Sequence, residues 1–133
     1  MKAPALLALA ALALTACATT PPRPAAEVSL GDWRRASPPA TLSQFSASVA
    51  RRYPVGTPLE SAARDLTANA FACTTPAPAR RGAPPAQVCR RTLNAGGCAH
   101  TWQVHLFGAA ALTRARALYD RTCGSDGLLG GPT

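Results

Sequence analysis

The sequence predicts a small α+β protein, with two N-terminal helices packed on a three- to four-stranded antiparallel β-meander that disulfide bonds hold together. Three observations predict this fold class. Apolar residues recur every three to four positions between residues 42 and 70 and alternate with polar residues afterwards, which are the periods of a helix and of a half-buried strand. Prolines and glycines separate these segments. Four of the five cysteines lie in the second part, and an even number favours disulfide bonds in a small exported domain.

The first seventeen residues have the pattern of an export signal. Lys2 gives a positive start, and ten apolar residues follow from Ala5 to Leu14. Ten residues are too few for a membrane-spanning helix, which needs about 20, but they suit a secretory signal peptide. The sequence Leu14-Thr15-Ala16-Cys17 resembles the lipobox of bacterial lipoproteins.

The lipobox resemblance implies that residues 1–16 are a cleaved signal peptide and that Cys17 carries diacylglycerol on its sulfur and an acyl chain on its amine. Several acyl chains make a stable anchor, whereas one chain binds a membrane only marginally. The residue after this cysteine is Ala18 and not an aspartate, which resembles the pattern of lipoproteins sorted to the outer membrane. We therefore expect an exported, lipid-anchored protein that faces the periplasm. The alternative is an ordinary cleaved signal with a chance cysteine.

Residues 17–38 are predicted to be a tether, because they are rich in proline and alanine and show no apolar period. Trp33 is the one large aromatic residue there, and we expect it to dock on the domain or on a partner. The folded domain is expected over residues 39–125. The glycine-rich residues 126–133 are expected to be a flexible tail.

The first helix is predicted to begin at a capping box formed by Thr41 and Gln44 and to end before Pro54. Its apolar stripe is Leu42, Phe45, Val49 and Tyr53. The second helix is predicted to have Thr57 as its cap, Pro58 in its first position and Glu60 in its third. Its apolar stripe is Leu59, Ala62, Ala63, Leu66 and Ala70. Asn69 is expected to close it in the left-handed conformation.

Strands are predicted over residues 88–93, 100–107 and 113–123. If residues 98–107 and 114–123 form an antiparallel hairpin in which the numbers of facing residues sum to 221, Trp102 faces Tyr119 and Cys98 faces Cys123 on the apolar side. The opposite side then carries polar residues that suit water: Gln103, Arg114, Arg116 and Asp120. A turn over residues 94–97 would place Arg91 opposite His100, and Cys89 near Trp102.

The strand register also chooses among the three pairings that four cysteines allow. It predicts a Cys98–Cys123 bond, which leaves Cys73 to pair with Cys89. Metal binding is the alternative, but no Cys-x-x-Cys spacing occurs, and His100 and His105 would point to opposite faces of one strand. We predict no metal site and no cofactor.

No catalytic motif is present. The sequence contains no Gly-x-Ser-x-Gly, no glycine loop for phosphates and no convincing pair of carboxylates. We therefore expect a protein that is not an enzyme.

Arginine dominates the charge of the chain. After residue 16 there are thirteen arginines, no lysine and six acidic residues, a net charge of +7. The candidates for contact with anionic surfaces are Arg80, Arg81, Arg90, Arg91, Arg114 and Arg116. Such a charge could indicate nucleic acid, but export favours another envelope protein or an anionic envelope component as the partner. The alternative is that a GC-rich coding bias fills a solvated surface with arginine.

Two capped helices before a meander resemble small envelope lipoproteins of the BamE/SmpA type, which share their architecture with the repeats of the beta-lactamase-inhibitor protein. The matching segments are Val55–Leu59, like the opening of the helical hairpin, and Trp102–Phe107, like a sheet strand. A fold does not carry function with it. We expect a non-enzymatic accessory or scaffold module that contacts another envelope component. The alternative function is a periplasm-facing ligand-binding or inhibitor module.

Overall fold

A computed structural model of the chain describes residues 27–78 and 80–124. The elements follow in the order α1 (Pro38–Arg52), α2 (Leu59–Ala68), β1 (Ala72–Thr74), β2 (Gln87–Ala95), β3 (Cys98–Gly108) and β4 (Leu112–Cys123). The strands form one antiparallel sheet in the order β1-β2-β3-β4. An α+β fold with two helices, a four-stranded antiparallel sheet and two disulfide bonds is therefore confirmed. The predicted signal peptide, Cys17 and the tail over residues 126–133 lie outside the described residues.

Helix α1 begins earlier than predicted. Ser37 is its N-cap, and the Ser37 hydroxyl accepts a hydrogen bond from the amide of Ala40 at 3.4 Å. Two prolines fill the first helical positions, where their missing N–H groups cost nothing. Thr41 is consequently inside the helix and fully buried, while Gln44 Oε1 accepts from the amide of Asp32 at 2.6 Å. The predicted capping box of Thr41 and Gln44 is wrong, because the double proline starts the helix before Thr41.

Both ends of α2 also differ from the prediction. Pro58 takes the N-cap position without a side-chain cap, and the Thr57 hydroxyl donates instead to the carbonyl of Pro54 at 2.7 Å. At the other end, Ala70 adopts the left-handed conformation with φ 65°, whereas Asn69 has φ −93°. The Asn69 side chain is engaged elsewhere, so the left-handed position falls to its neighbour.

The segment before α1 belongs to the folded domain. Val28 is buried, and its amide donates to Asn69 Oδ1 at 2.8 Å. The carbonyl of Leu30 accepts from the Trp102 indole at 3.1 Å, and Trp33 packs against the core. The tether predicted over residues 17–38 therefore extends too far, because isolated apolar residues without a helical period still find buried positions. Trp33 docks on the domain.

The hairpin of β3 and β4 has the predicted register. Trp102 lies opposite Tyr119, and Cys98 lies opposite Cys123. On the side that we call the inner face, Trp102, Val104 and Leu106 are fully buried. The other side, which we call the outer face, carries the predicted polar residues of β3 and β4: Gln103, Arg114, Arg116 and Asp120.

The pairing of β2 with β3 is shifted by two residues from the prediction. Arg91 lies opposite Trp102 instead of His100, and Cys89 lies opposite Val104. The reason is the turn: both strands extend until only two glycines connect them, each with a positive φ, which is the geometry of the favoured two-residue hairpin. A shift of two residues leaves every side chain on its predicted face.

The core is one cluster of buried side chains from the helices and the inner face. It contains Phe45 of α1, Leu66 of α2 and Trp102 of β3, all without exposed surface. Phe71, which precedes β1, stacks on Phe45 with ring centroids 6.3 Å apart. Over residues 27–78 and 80–124, no helix is both long and apolar enough to cross a membrane.

Both disulfide bonds join the predicted pairs. Cys73 of β1 is bonded to Cys89 of β2, and Cys98 of β3 to Cys123 of β4. In each pair the two residues lie directly opposite each other in the sheet. The bonds therefore fasten the two outer strand pairs, one at each edge of the sheet.

Candidate functional site

The six arginines chosen from the sequence do not form one surface. Arg90 of β2 and Arg114 and Arg116 of β4 are exposed on the outer face. Arg91 points to the inner side, where its Nη1 donates to the carbonyl of Asn69 at 3.1 Å. Three of the six therefore share a face, and Arg91 has a structural role.

The remaining two arginines lie away from the strands. Arg80 and Arg81 are exposed in the proline-rich loop that joins β1 to β2. That loop carries them outside the regular sheet, so they are not placed by the strand register that fixes the other four.

The strongest candidate site is the group that we call the outer basic patch: Arg90, Gln103, His105, Arg114 and Arg116. His105 lies opposite Arg116 on one neighbouring strand and Gln103 lies opposite Arg90 on the other. His105 Nε2 and Gln103 Oε1 are 3.1 Å apart. Strand pairing thus brings basic side chains from β2 and β4 to the two sides of β3.

Phe107 supports one edge of the outer basic patch. The guanidinium carbon of Arg114 lies 4.2 Å from the centroid of the Phe107 ring. Such a cation–π contact positions the cation without cancelling its charge. Arg114 is therefore held on the sheet while its charge stays available to a partner.

The outer basic patch is not neutralised within the described part of the chain. Asp120 is the one carboxylate that β1 to β4 place on the outer face, and it accepts a hydrogen bond from the Thr122 hydroxyl at 3.3 Å. Burial, followed by the charges of Arg116 and Arg90, lowers the pKa of His105. The imidazole is mostly neutral at pH 7, so the positive charge of the patch comes from its arginines.

Asp65 is a polar centre that the sequence did not reveal. Its carboxylate accepts hydrogen bonds from Arg52 Nε at 2.6 Å, Arg52 Nη2 at 2.9 Å and the Tyr53 hydroxyl at 2.6 Å. The hydrogen bond from Arg52 lowers the pKa of Asp65, and burial is the main cause that raises the pKa of Tyr53. The partners of the Asp65 carboxylate are the last residue of α1 and its C-cap, Tyr53, so this group joins the two helices.

A second surface feature lies at the end of the inner face. Trp33 packs on His100 with ring centroids 4.6 Å apart and on Trp102 at 5.4 Å. His100 Nδ1 is 2.7 Å from the Tyr119 hydroxyl. A cavity of about 350 Å³ opens beside this cluster. This cluster was not predicted from the sequence, because no local pattern links Trp33 to residues of β3 and β4.

In the described ranges, no group of three or more His, Cys, Asp or Glu residues is arranged to hold a metal ion. Comparison with known proteins gives no significant match to a family model, to a curated protein or to a solved structure.

Proposed function

We propose that the chain is a bacterial cell-envelope lipoprotein whose domain acts as a non-enzymatic scaffold and binds an acidic surface of another envelope protein. In this proposal residues 1–16 are removed as a signal peptide, and the lipid on Cys17 anchors the domain to the outer membrane, facing the periplasm. The two disulfide bonds support export, since such bonds persist in oxidising compartments. The two helices cover one face of the sheet and leave the other for the partner.

The observation that carries the proposal is the charge of the outer face. Arg90, Arg114 and Arg116 are exposed there, and the carboxylate of Asp120 lies several residues further along β4. A face with this charge is complementary to an acidic surface, and complementary charge selects partners and speeds their encounter. Export separates these arginines from nucleic acid, so a protein partner is preferred.

The contacts of Asp65 and His105 argue against catalysis. Asp65 is occupied by hydrogen bonds from Arg52 and Tyr53, which hold the carboxylate in a structural role. In the described part of the chain, the polar partners of His105 are Gln103 and two arginines, none of which is a nucleophile that it could activate. Binding therefore accounts for the outer face better than a reaction does.

Chemical cross-linking in native membranes tests this function. We expect the wild-type chain to give a discrete cross-linked complex, and the double variant Arg114→Gln/Arg116→Gln to give much less of it. The matched control is Arg51→Gln/Arg64→Gln, which removes the same charge from exposed positions on α1 and α2 and should leave the complex intact.

The Cys17→Ser variant tests the anchor in the same experiment. If anchoring places the domain beside its partner, this variant should lose the complex and appear in the soluble fraction. An undiminished complex in the Arg114→Gln/Arg116→Gln variant would reject the outer basic patch as the docking surface. A tight soluble target of the unanchored protein would favour the ligand-binding or inhibitor function instead.

A further inference from the structure

We propose that the cavity beside Trp33 is a binding site for a phosphate monoester. We call it the Trp33 cavity and define it by six of its lining residues: Trp33, Arg34, Arg35, Gly96, His100 and Arg121. Its volume of about 350 Å³ lies within the range of small-molecule sites. It belongs to the inner side of the sheet, so the inference is independent of the docking role of the outer face.

A tight turn forms one wall of the Trp33 cavity. The carbonyl of Asp32 accepts hydrogen bonds from the amides of Arg35 at 3.0 Å and Ala36 at 2.7 Å. This turn presents Trp33 and the two following arginines together. The guanidinium carbon of Arg34 lies 4.6 Å from the centroid of the Trp33 ring, a contact that positions its charge.

The sheet forms the opposite wall. Arg121 of β4 lies opposite His100 of β3, and both residues line the cavity. His100 is only 6% exposed, and its ring is fixed between Trp33 and the Tyr119 hydroxyl. Two segments far apart in the chain thus place guanidinium groups around a rigid aromatic floor.

The charge of the Trp33 cavity selects the ligand class. Among the residues that the structure describes, no carboxylate lines it, and the salt bridge found there involves none of its arginines. Arg34, Arg35 and Arg121 therefore present three positive charges. Guanidinium groups bind phosphate through paired hydrogen bonds. Three guanidinium groups match the charge of a doubly charged phosphate better than that of a ligand with a single carboxylate. The apolar floor reduces the local dielectric and strengthens these contacts.

Tryptophan fluorescence reports on this cavity directly, because the chain has two tryptophans and both belong to the aromatic cluster. We would titrate the full-length protein in detergent with inorganic phosphate and, separately, with sodium chloride at equal ionic strength. The expected result is a saturable change in emission with phosphate and none with chloride. A change in emission that is equally large with both salts would overturn the proposal.

Variants distinguish this cavity from the outer face. Arg34→Gln and Arg121→Gln should each weaken phosphate binding by about tenfold, the loss of one charge-assisted contact. Arg116→Gln, on the opposite side of the sheet, should bind phosphate as the wild type does. Both cavity positions are exposed, and equal unfolding midpoints would show that the variants fold normally. Unchanged phosphate binding in Arg121→Gln would overturn the assignment.

The ligand could be a free phosphate or the head group of a lipid, which share this chemistry. Phosphatidylcholine vesicles with and without phosphatidic acid separate the two sources. A response to inorganic phosphate supports a free ligand, and a response only to vesicles with phosphatidic acid supports a lipid-borne phosphate, provided that Arg121→Gln weakens either one. Absence of any response to phosphate and to both vesicles would refute the site.

Discussion

The two faces of β3 show how one strand serves two purposes. Trp102 and Val104 on the inner face are fully buried, whereas Gln103 and His105, their neighbours in sequence, are partly exposed on the outer face. Alternation along a strand separates these roles residue by residue. The buried side chains of the inner face contribute to stability, and in the proposed function the outer face binds the partner, so substitutions at adjacent positions should have different consequences.

The largest expected effect comes from Trp102→Ala. The indole is fully buried and donates to the carbonyl of Leu30 at 3.1 Å, so its removal leaves a large cavity and should lower the free energy of unfolding by about 3–5 kcal/mol. Gln103→Ala, one residue away on the outer face, should change it by less than about 0.5 kcal/mol. Urea denaturation measures both, and similar losses would break the distinction between the faces.

The disulfide bonds give the next largest effect. The double variants Cys73→Ala/Cys89→Ala and Cys98→Ala/Cys123→Ala should each lose about 2–4 kcal/mol of unfolding free energy. The first should lose more, because Cys89 is fully buried and removing a buried group the size of a methylene costs about 0.8 kcal/mol.

The length of the loop that each bond closes favours the opposite order, because the longer loop should give the larger loss of stability. Sequence separations of 16 and 25 favour the second bond by only about 0.4 kcal/mol in loop entropy. A larger loss in Cys98→Ala/Cys123→Ala would therefore show that burial of Cys89 is not the deciding difference.

Asp65→Asn tests the link between the helices. The pKa of Asp65 is lowered in the fold, so its contribution is present above the unfolded pKa of about 4 and is lost as pH falls through the folded pKa. Because Asp65 and Arg52 remain partly exposed, we expect a loss of about 1 kcal/mol at pH 7. Urea denaturation should show a larger loss at pH 7 than at pH 2.5.

Glu60→Gln is the control for Asp65→Asn. Glu60 lies on the exposed side of the same helix, and its replacement should have little effect at either pH. A loss in Asp65→Asn that persists undiminished at pH 2.5 would show that the effect is not electrostatic.

The smallest effect is a gain in stability. The Thr41 hydroxyl is buried without a hydrogen-bond partner, and such a group costs about 1 kcal/mol or more. Thr41→Val keeps the shape and should raise the free energy of unfolding by up to about 1 kcal/mol. Thr67→Val, whose exposed hydroxyl donates to the carbonyl of Ala63, should give no gain. Destabilisation by Thr41→Val would mean that the hydroxyl has a partner in solution.

The features that were predicted correctly are those that depend on the alternation of side chains along a strand. The β3–β4 register and both disulfide bonds followed from placing Cys98, Trp102 and the arginines on consistent faces. The β2–β3 register was wrong by two residues, because the turn sequence Asn94-Ala95-Gly96-Gly97 permits either a four-residue or a two-residue connection. A shift of two residues leaves each side chain on the same face of the sheet, so the outer position of Arg90 and the inner position of Arg91 could both have been predicted.

Two kinds of feature were not predictable in this way: the choice between two possible N-cap residues, and contacts between residues far apart in the sequence. Ser37 and Thr41 are both good N-cap residues, and the prolines between them decided which one caps α1. Trp33 meets His100 only through the tertiary fold, so the Trp33 cavity has no sequence motif. Asp65 was visible as a polar residue, but its partners Arg52 and Tyr53 lie at the end of the other helix.

The most direct test of the central claim is photo-crosslinking from the two sides of the protein in intact cells. A benzoylphenylalanine would replace Leu118, which lies opposite Gln103 on the outer face, or Ala47, which is exposed on α1. We predict a discrete protein adduct from position 118, its loss when Arg90, Arg114 and Arg116 are replaced by glutamine, and no such adduct from position 47. The same adduct from position 47, or an adduct from 118 that persists without the three arginines, would contradict a docking role for the outer face.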